Sequence, residues 1–356
     1  AGVPLVHIKP GSDGMVSLSQ KRWAHLGKGN LKPGQWELPI CLYQTTTKTS
    51  ECTVLTDSAK FKAESGVPLP NPDMQSYAVW HLPSEQLQAL LTRFSQFTEM
   101  QQVAITHNLR KLYRSGHLDP LTIRSITPDL LKSPYHSVVH SALVLHGELG
   151  RLVRAEQVPA FRRLHDDVLG DLVERYGWGD SQEKDSAVLK TRRLVLSIAG
   201  ISGKRPAVLQ EARRRTEDFL AGKEVPRETL GTALRITAEH GDEVLFDRVL
   251  KSFLEADDIR RRRPLRGALT GFRFSGVVNR LFNLVEHKEL RSNERGSMIW
   301  AVASDYRTRQ EAWTRIKPML PQLVELLPRR GARYLPYYPG SNCEPELESE
   351  LDGVFA

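Results

Sequence analysis

The first 82 residues alternate between apolar and polar positions, which is the period of a half-buried β-strand. Turn signals rich in Gly, Pro and Asn separate the alternating runs, as in GKGNLKPG and GVPLPNPD. Short strands in such numbers are typical of a small antiparallel β-sandwich. The pattern predicts about five strands, at residues 3–9, 15–23, 35–46, 50–63 and 75–82.

After Pro83 the apolar residues recur at helical spacing, and Ser84 is suited to the N-cap of the first helix. The predicted helices are about fifteen residues long, and short loops that contain Gly, Pro or Asp join them. Such a series is typical of an irregular α-helical solenoid of the HEAT or armadillo kind. We therefore predict an α+β, mostly α fold, with a β-sandwich domain at 1–82 and a solenoid at 83–356. Further helical runs are predicted at about 99–115, 120–131, 136–154, 157–175, 183–199, 205–221, 226–240, 242–256, 265–286, 289–303 and 308–327.

The length, the composition and the net charge of the chain add little to this prediction of the fold. The chain has 356 residues, of which 40% are hydrophobic and 26% charged, as in ordinary globular proteins. We expect no membrane span, because no apolar run approaches the roughly 18–20 residues that one needs. The net charge of +8 permits nucleic-acid partners without requiring them. We expect none, because the longest basic run, RRRR at 260–263, follows EADD and precedes Pro264, which favours a solvated helix end.

The cysteines and the start of the chain bear on its compartment. Cys41, Cys52 and Cys343 are an odd number without a C-x-x-C pair, which predicts no disulfide framework and favours a reducing compartment. The opening AGVPLVHIKPGSDG lacks a basic leader and an apolar stretch, so no signal peptide is visible. We expect a cytoplasmic protein, with the periplasm and secretion left open, and a chain that is a piece of a longer one.

The segment YHSVVHSALVLHGE (135–148) is the first candidate for chemistry, because four-apart histidines on one helical face can grip zinc. His136 and His140 have this spacing, but Ser137 replaces the general-base Glu of H-E-x-x-H, and no third ligand follows with a suitable geometry. We predict packing roles for both histidines. The remaining histidines do not pair at ligand spacing with an acid nearby; besides His146, they are His7, His25, His81, His107, His117, His165, His240 and His287.

Other catalytic signatures are missing from the sequence. It contains no G-x-S-x-G, no P-loop and no G-x-G-x-x-G after a strand. Cys343 lies in a Pro- and Gly-rich segment without a paired His, which argues against a nucleophile. We predict no catalytic, metal-binding or cofactor-binding residue in the chain.

The order of segments, over nearly the whole chain, resembles the C-terminal half of the aminopeptidase N family of zinc exopeptidases. VSLSQKRW and WELPICL resemble strands of its small β-domain, and Tyr77 is kept at the junction with the first solenoid helix, although Ala78 and Val79 stand where Tyr and Arg are usual. Four further segments resemble the family's helical series and its closing motif: ITHNLRKLYRSGHL (105–118), ERYGWGDSQEKDSAVLKTRRLVLSIAG (174–200), HKELRSNERGSMIWAVASDYRTRQEAWTRIKPMLPQLVELLP (287–328) and SNCEPELESELDGVF (341–355).

The resemblance implies a non-catalytic region of a metallopeptidase. The family carries its H-E-x-x-H zinc helix and its G-x-M-E-N loop upstream of the β-domain, and neither string occurs here. The chain would have the N-terminal and catalytic domains of the same enzyme as partners and peptides as substrates, with zinc held only in the absent domain. It would wall the substrate cavity and help to bind the peptide tail. The alternative is a stand-alone helical-repeat scaffold for protein interactions.

Arginine is the residue best suited to a peptide's terminal carboxylate, because its planar fork donates two hydrogen bonds at once. Arg291 and Arg295 in LRSNER lie four apart, next to a family-like segment, and Arg330 and Arg333 lie in PRRGARY, which resembles a basic stretch of some relatives. These four are the candidate substrate contacts. In the nearby MIWAVAS run, Met298, Ile299, Trp300 and Val302 are expected in the core, where Trp300→Ala would cost about 3–5 kcal/mol.

Overall fold

The computed structural model describes residues 2–11, 14–27, 31–62, 67–179, 183–305 and 307–335, so Cys343 and the closing segment 341–355 lie outside the described residues. The N-terminal strands form two sheets, one in the order β5-β2-β1-β7 and one in the order β4-β3-β6. The strands are Pro4–Pro10 (β1), Met15–Arg22 (β2), Leu38–Gln44 (β3), Thr49–Leu55 (β4), Ser58–Lys62 (β5), Leu69–Pro70 (β6) and Val79–His81 (β7).

Alternation places one face of each sheet inward. Val16 and Leu18 on β2 are buried while Ser17 between them is exposed, and Ile40 and Leu42 on β3 are buried likewise. Most neighbouring strands are antiparallel; β7 pairs with β1 in parallel.

The run at 50–63, predicted as one strand, is two strands in different sheets. The chain turns between Leu55 and Ser58, and β4 then pairs with β3 while β5 pairs with β2. The Gln20 side-chain amide holds this corner, donating to the carbonyl oxygens of Leu55 (3.2 Å) and Thr56 (2.6 Å). Only three polar residues, Thr56, Asp57 and Ser58, interrupt the apolar positions here, and a strand-like pattern lies on both sides of them, so the turn was not predicted.

Cys41 and Cys52 form a disulfide, which corrects the expectation from the cysteine count. The two residues are eleven apart in sequence but lie directly opposite each other in the β3–β4 pairing. Cross-strand partners have neighbouring Cβ atoms, and this proximity permits the bond. The separation of the two cysteines in sequence does not show that they pair across β3 and β4.

Helices make up 58% of the structure, which confirms the α+β, mostly α prediction. Short 3₁₀ segments lie at 94–96, 148–152 and 155–157, and a π-helical turn lies at Ile198–Ser202. The α-helices of the described residues are Ser84–Leu91 (α1), Glu99–Arg114 (α2), Pro120–Leu131 (α3), His136–Gly147 (α4), Val158–Asp167 (α5), Leu172–Tyr176 (α6), Ser186–Ser197 (α7), Pro206–Leu220 (α8), Arg227–Glu239 (α9), Glu243–Leu254 (α10), Ile259–Leu269 (α11), Val277–Val285 (α12), Ser292–Ala303 (α13), Arg309–Leu326 (α14) and Arg329–Ala332 (α15).

Local chemistry sets several helix starts. Thr98 closes a capping box with Gln101 at the start of α2, and Asp242 accepts from the backbone N–H of Leu245 at the start of α10. Ser84, the predicted N-cap, is instead the first residue of α1, and Pro83 precedes it in an extended conformation. The predicted helix 265–286 is two helices, α11 and α12. The helical period continues across this break, where Gly276 adopts a left-handed backbone (φ 82°) immediately before α12.

The chain folds as two compact units: Ala1–Leu152 with Asp185–Thr191 (unit 1), and Val153–Lys184 with Arg192–Ala356 (unit 2). In unit 2 the helices pack mainly on neighbours one or two along the chain, around a core that includes Phe246 and Phe272 in edge-to-face contact at 5.2 Å. The solenoid arrangement and the domain boundary at residue 82 stay predictions.

Two burial predictions fail within unit 2. Trp300 is 44% exposed, whereas Met298, Ile299 and Val302 on the same helix are buried as predicted. In the RRRR run, predicted to be solvated, Arg262 is only 5% exposed, while its three arginine neighbours are exposed. Both errors come from judging burial by residue type, when the side of the helix decides it.

Candidate functional site

The histidine segment in unit 1 packs as a structural helix. The backbone carbonyl of His136 accepts from the Thr191 hydroxyl at 2.9 Å. Burial lowers the pKa of His140, and the nearby charges of Lys190 and His107 lower it further. In the part of the chain that the structure describes, no group of three or more His, Cys, Asp or Glu residues is arranged to hold a metal ion.

Glu148, the first acid after those histidines along the chain, is held by two arginines of α2. Arg110 Nε donates to Glu148 Oε1 at 2.6 Å, and Arg114 donates to both carboxylate oxygens, at 2.7 and 3.1 Å. The carboxylate is nearly fully buried, so this arrangement ties the end of α4 to α2.

A highly charged concavity lies in unit 2. It is a cleft of about 400 Å³ between the ends of several helices. Basic, acidic and aromatic side chains share its wall: Arg162, Lys204, Glu239, His240, Arg273, Phe274, Ser275, Val277, Arg307, Thr308 and Glu311.

Two carboxylates and three guanidinium groups form an ion-pair network at this cleft, here called its floor; four of the five residues line the cleft, and Asp305 joins them through its ion pairs. Glu239 is paired with Arg162 (Nη2–Oε1, 3.1 Å), with Arg273 (Nε–Oε2, 3.5 Å) and with Arg307. Asp305 pairs with Arg273 (2.6 Å) and Arg307 (2.7 Å). Each carboxylate is therefore shared between arginines, which holds these side chains in one arrangement.

Burial and the neighbouring charges act against each other at Asp305 and Arg273 of this network. Burial alone would raise the pKa of Asp305, but the hydrogen bond from Arg307 and the charges of Arg273 and Arg307 lower it to about 2. Burial lowers the pKa of the Arg273 guanidinium, and the Asp305 carboxylate acts against that effect. The residues that line the cleft include four cationic side chains, of arginine and lysine, against the two carboxylates of Glu239 and Glu311, so the net charge of the lining is positive.

Lys204 is placed at the edge of the cleft by the π-helical turn that follows α7. A Cβ on Gly203 would lie 2.1 Å from Asp166 Oδ1, so only glycine allows this approach. Arg205 Nε donates to the same Asp166 oxygen at 2.9 Å, and Lys204 itself has a left-handed backbone (φ 51°). Single π-turns occur frequently at functional sites.

The four arginines predicted from the sequence lie elsewhere. Arg295 donates to the carbonyl oxygens of Val285 (2.8 Å) and His287 (3.0 Å), and thereby caps the end of α12. Arg291 precedes α13 with an exposed side chain, and Arg330 and Arg333 are exposed at α15. None of the four is among the residues that line the cleft.

Sequence reasoning did not identify the cleft, because its charged residues come from five separate segments. Arg162, Lys204, Glu239, Arg273 and Arg307 are spread over almost 150 positions and share no local motif. The one local signal is Gly203 next to Lys204 in SGKRP, where Gly and Pro by themselves predict only a loop.

Two further observations bear on identity. No helix in the described ranges combines the length and the apolar character that crossing a membrane requires. The family model of the ERAP1-like C-terminal domain matches residues 68–356, which is most of the chain and includes all the helices. This match confirms the resemblance noted from the sequence motifs. The chain therefore belongs to the ERAP1-like C-terminal domain family, and is a C-terminal part of an aminopeptidase N family enzyme.

Proposed function

We propose that this chain is the non-catalytic C-terminal region of a zinc aminopeptidase that removes N-terminal residues from peptides. In this proposal it walls the substrate cavity and contacts the peptide tail, and the other domains of the same enzyme are its partners. The family match supports the assignment to an aminopeptidase, and the sequence contains no H-E-x-x-H string. Zinc and the general base would come from the catalytic domain.

The cleft in unit 2 carries the proposal for the peptide tail. A peptide held by its N-terminus presents a free carboxylate at the other end, and such a group is best met by fixed cations. The arginines of the floor are already shared with Glu239 and Asp305, whereas Lys204 is exposed and has no ion pair among the described residues. Lys204, backed by Arg162, is therefore the residue that we assign to the carboxylate.

The test uses the complete enzyme and two substrates of equal length. Lys204→Met should raise KM for a tripeptide with a free carboxylate by roughly 10- to 100-fold, because a charge-assisted hydrogen bond is worth about 1.5–3 kcal/mol. KM for the C-terminally amidated tripeptide should stay unchanged. Lys251→Met, which removes an exposed lysine on α10 outside the cleft, is the matched control.

The same pair of substrates tests the arginines predicted from the sequence. Arg295→Ala and Arg333→Ala should leave both KM values unchanged if the cleft is the tail site. If Arg333→Ala raises KM only for the tripeptide with a free carboxylate, and Lys204→Met raises neither KM value, the tail site lies at α15 instead of in the cleft. If every variant raises KM equally for both substrates, the result would contradict recognition of the peptide tail by this region.

The Cys41–Cys52 disulfide favours a different compartment from the cytoplasm expected above. Disulfides form and persist in oxidising compartments, and reducing ones keep thiols free. We propose that the protein resides in an oxidising compartment. Thiol alkylation of the protein from its native source, quenched in acid, should leave both cysteines unlabelled until a reductant is added; labelling without reductant would contradict the proposal.

A further inference from the structure

Three histidines of unit 1 that are far apart in sequence come together at the edge of the first sheet. His7 lies on β1, His81 lies opposite it on β7, and His117 lies in the loop between α2 and α3. Their ring centroids form a nearly equilateral triangle, with separations of 5.3 Å (His7–His81), 5.2 Å (His81–His117) and 6.0 Å (His7–His117). This cluster therefore joins two strands of the sheet to the loop between α2 and α3.

No carboxylate of the described residues balances this cluster. The charged groups acting on the rings are Lys21 of β2 and Lys9 of β1, both of which are positive. Asp119, the nearest acid along the chain from His117, instead caps α3 through bonds to the backbone N–H and the hydroxyl of Thr122.

Hydrogen bonding acts in opposite directions at two of the rings: the Ser115 carbonyl raises the pKa of His117, against the lowering by burial, whereas the buried His7 nitrogen has no acceptor for an added proton among the described residues. His117 Nδ1 lies 3.1 Å from the carbonyl oxygen of Ser115 and 3.0 Å from its hydroxyl, which orients that ring. The Nε2 atom of His7 is buried and has no hydrogen-bond partner in the described part of the chain. A proton added there would put an unsolvated positive charge between two other imidazoles.

The direction of the pKa shifts agrees with this geometry. Burial, Lys21 and the two other histidines lower the pKa of His7 to about 4. Burial lowers the pKa of His81 and of His117 as well, with His117 and Lys21 adding to the effect at His81. All three rings are neutral at pH 7, and each would gain a proton more readily in a loosened state.

We propose that His7, His81 and His117 form an acid-sensitive contact, which holds the sheet to the α2–α3 loop at neutral pH and loosens it as the pH falls below about 6. The sign follows from linkage: a histidine whose folded pKa lies below the ordinary value of 6.5 stabilises the fold fully above pH 6.5. That stability is lost as the pH falls from 6.5 towards the folded pKa, because the loosened state binds more protons. For His7 the window extends down to about pH 4.

The first experiment measures the rings themselves in the complete protein. Deuterium exchange at the imidazole Cε1–H, followed by mass spectrometry across pH 4–8, reports the pKa of each histidine. His7, His81 and His117 should all titrate below the ordinary value of 6.5, with His7 the lowest. Titration of all three at or above 6.5 would overturn the proposal, whether or not any variant folds.

The second experiment measures how the protonation of these histidines changes the stability of the protein. The thermal midpoint of the wild type should fall between pH 7.5 and 5.5, and the fall should be several degrees smaller in His81→Gln and in the double variant His81→Gln/His117→Gln. Proteolytic cleavage within 114–118 should accelerate at pH 5.5 in the wild type. His287→Gln, in unit 2, is the control and should keep the wild-type pH dependence. An unchanged pH dependence in the double variant would overturn the proposal.

Discussion

The ion pair of Arg262 and Glu294 gives the sharpest test of how unit 2 is held together. Arg262 Nε and Nη2 donate to the two oxygens of Glu294 at 2.7 and 3.1 Å, and the two side chains are only 6% and 1% exposed. The arginine also donates to the carbonyl oxygens of Phe253 (3.0 Å) and Glu289 (3.0 Å), and its guanidinium lies 4.2 Å from the centroid of the Phe253 ring. It therefore joins α11, the end of α10 and the start of α13.

The expected cost follows from what a substitution leaves behind. Glu294→Gln keeps the shape of the side chain and one acceptor oxygen, but it leaves the Arg262 charge buried without a counter-charge. Removing one partner of a buried pair costs about 3–5 kcal/mol. Arg263→Ala, which removes the exposed neighbouring arginine, should change the free energy of unfolding by less than about 0.5 kcal/mol.

Urea unfolding at pH 7, followed by tryptophan fluorescence and far-UV circular dichroism, gives both values. A double-mutant cycle with Arg262→Met and Glu294→Leu should show that the double substitution costs less than the sum of the single ones, because it leaves no unpaired buried charge. The reasoning is refuted if Glu294→Gln costs less than about 1 kcal/mol, or if the two single substitutions are additive.

The pH dependence supplies an independent check on this pair. Burial alone would raise the pKa of Glu294, but the hydrogen bonds from Arg262 and from the backbone N–H of Arg291, with the Arg262 charge, bring it below its ordinary value of 4.5. The stabilisation by a lowered carboxyl pKa is complete above the ordinary value and is lost as the pH falls through the folded one. The stability difference between the wild type and Glu294→Gln should be constant above pH 5.5 and shrink below about pH 4.5.

Three further substitutions should have simpler outcomes, each measured as a change in the free energy of unfolding in urea. Trp300→Ala should cost about 1–2 kcal/mol, below the 3–5 kcal/mol of a buried tryptophan, because nearly half of the side chain is exposed; a larger cost would contradict that exposure. Cys41→Ser should cost about 2–3 kcal/mol through loss of the bond to Cys52, and a reductant should reproduce that loss in the wild type. Gly203→Ala should cost about 1–3 kcal/mol, because its methyl group would collide with the Asp166 carboxylate, and a neutral result would mean that the π-turn moves freely.

Features that depend on the spacing of apolar residues over a short stretch of chain were predicted well from the sequence. The change from alternation to helical spacing near Pro83 gave the order of sheet and helices, and the motif series gave the family. The sequence predicted poorly where a run is interrupted, as between Leu55 and Ser58, because a turn of two residues need not disturb the period on either side.

What the sequence could not predict depends on which distant residues meet. Cys41 and Cys52 are joined by the register of one hairpin, and His7, His81 and His117 by strand pairing together with a loop. Each of these histidines looked isolated because a search by local spacing finds pairs within one helix only. A search by local spacing also does not find the charged residues of the cleft, since several of them lie at the ends of different helices.

The errors at Arg262 and Trp300 have one cause, and it shows what a better prediction needs. Arg262 lies three and seven positions before Leu265 and Leu269, on the apolar side of α11, so the helix carries its charge inward despite the basic run around it. Trp300 follows Ile299 by one position, a turn of about 100° that takes it away from the side formed by Met298 and Val302. The polarity of a run therefore does not predict burial. The helical position of each side chain does, and a charge on the apolar side requires a partner such as Glu294.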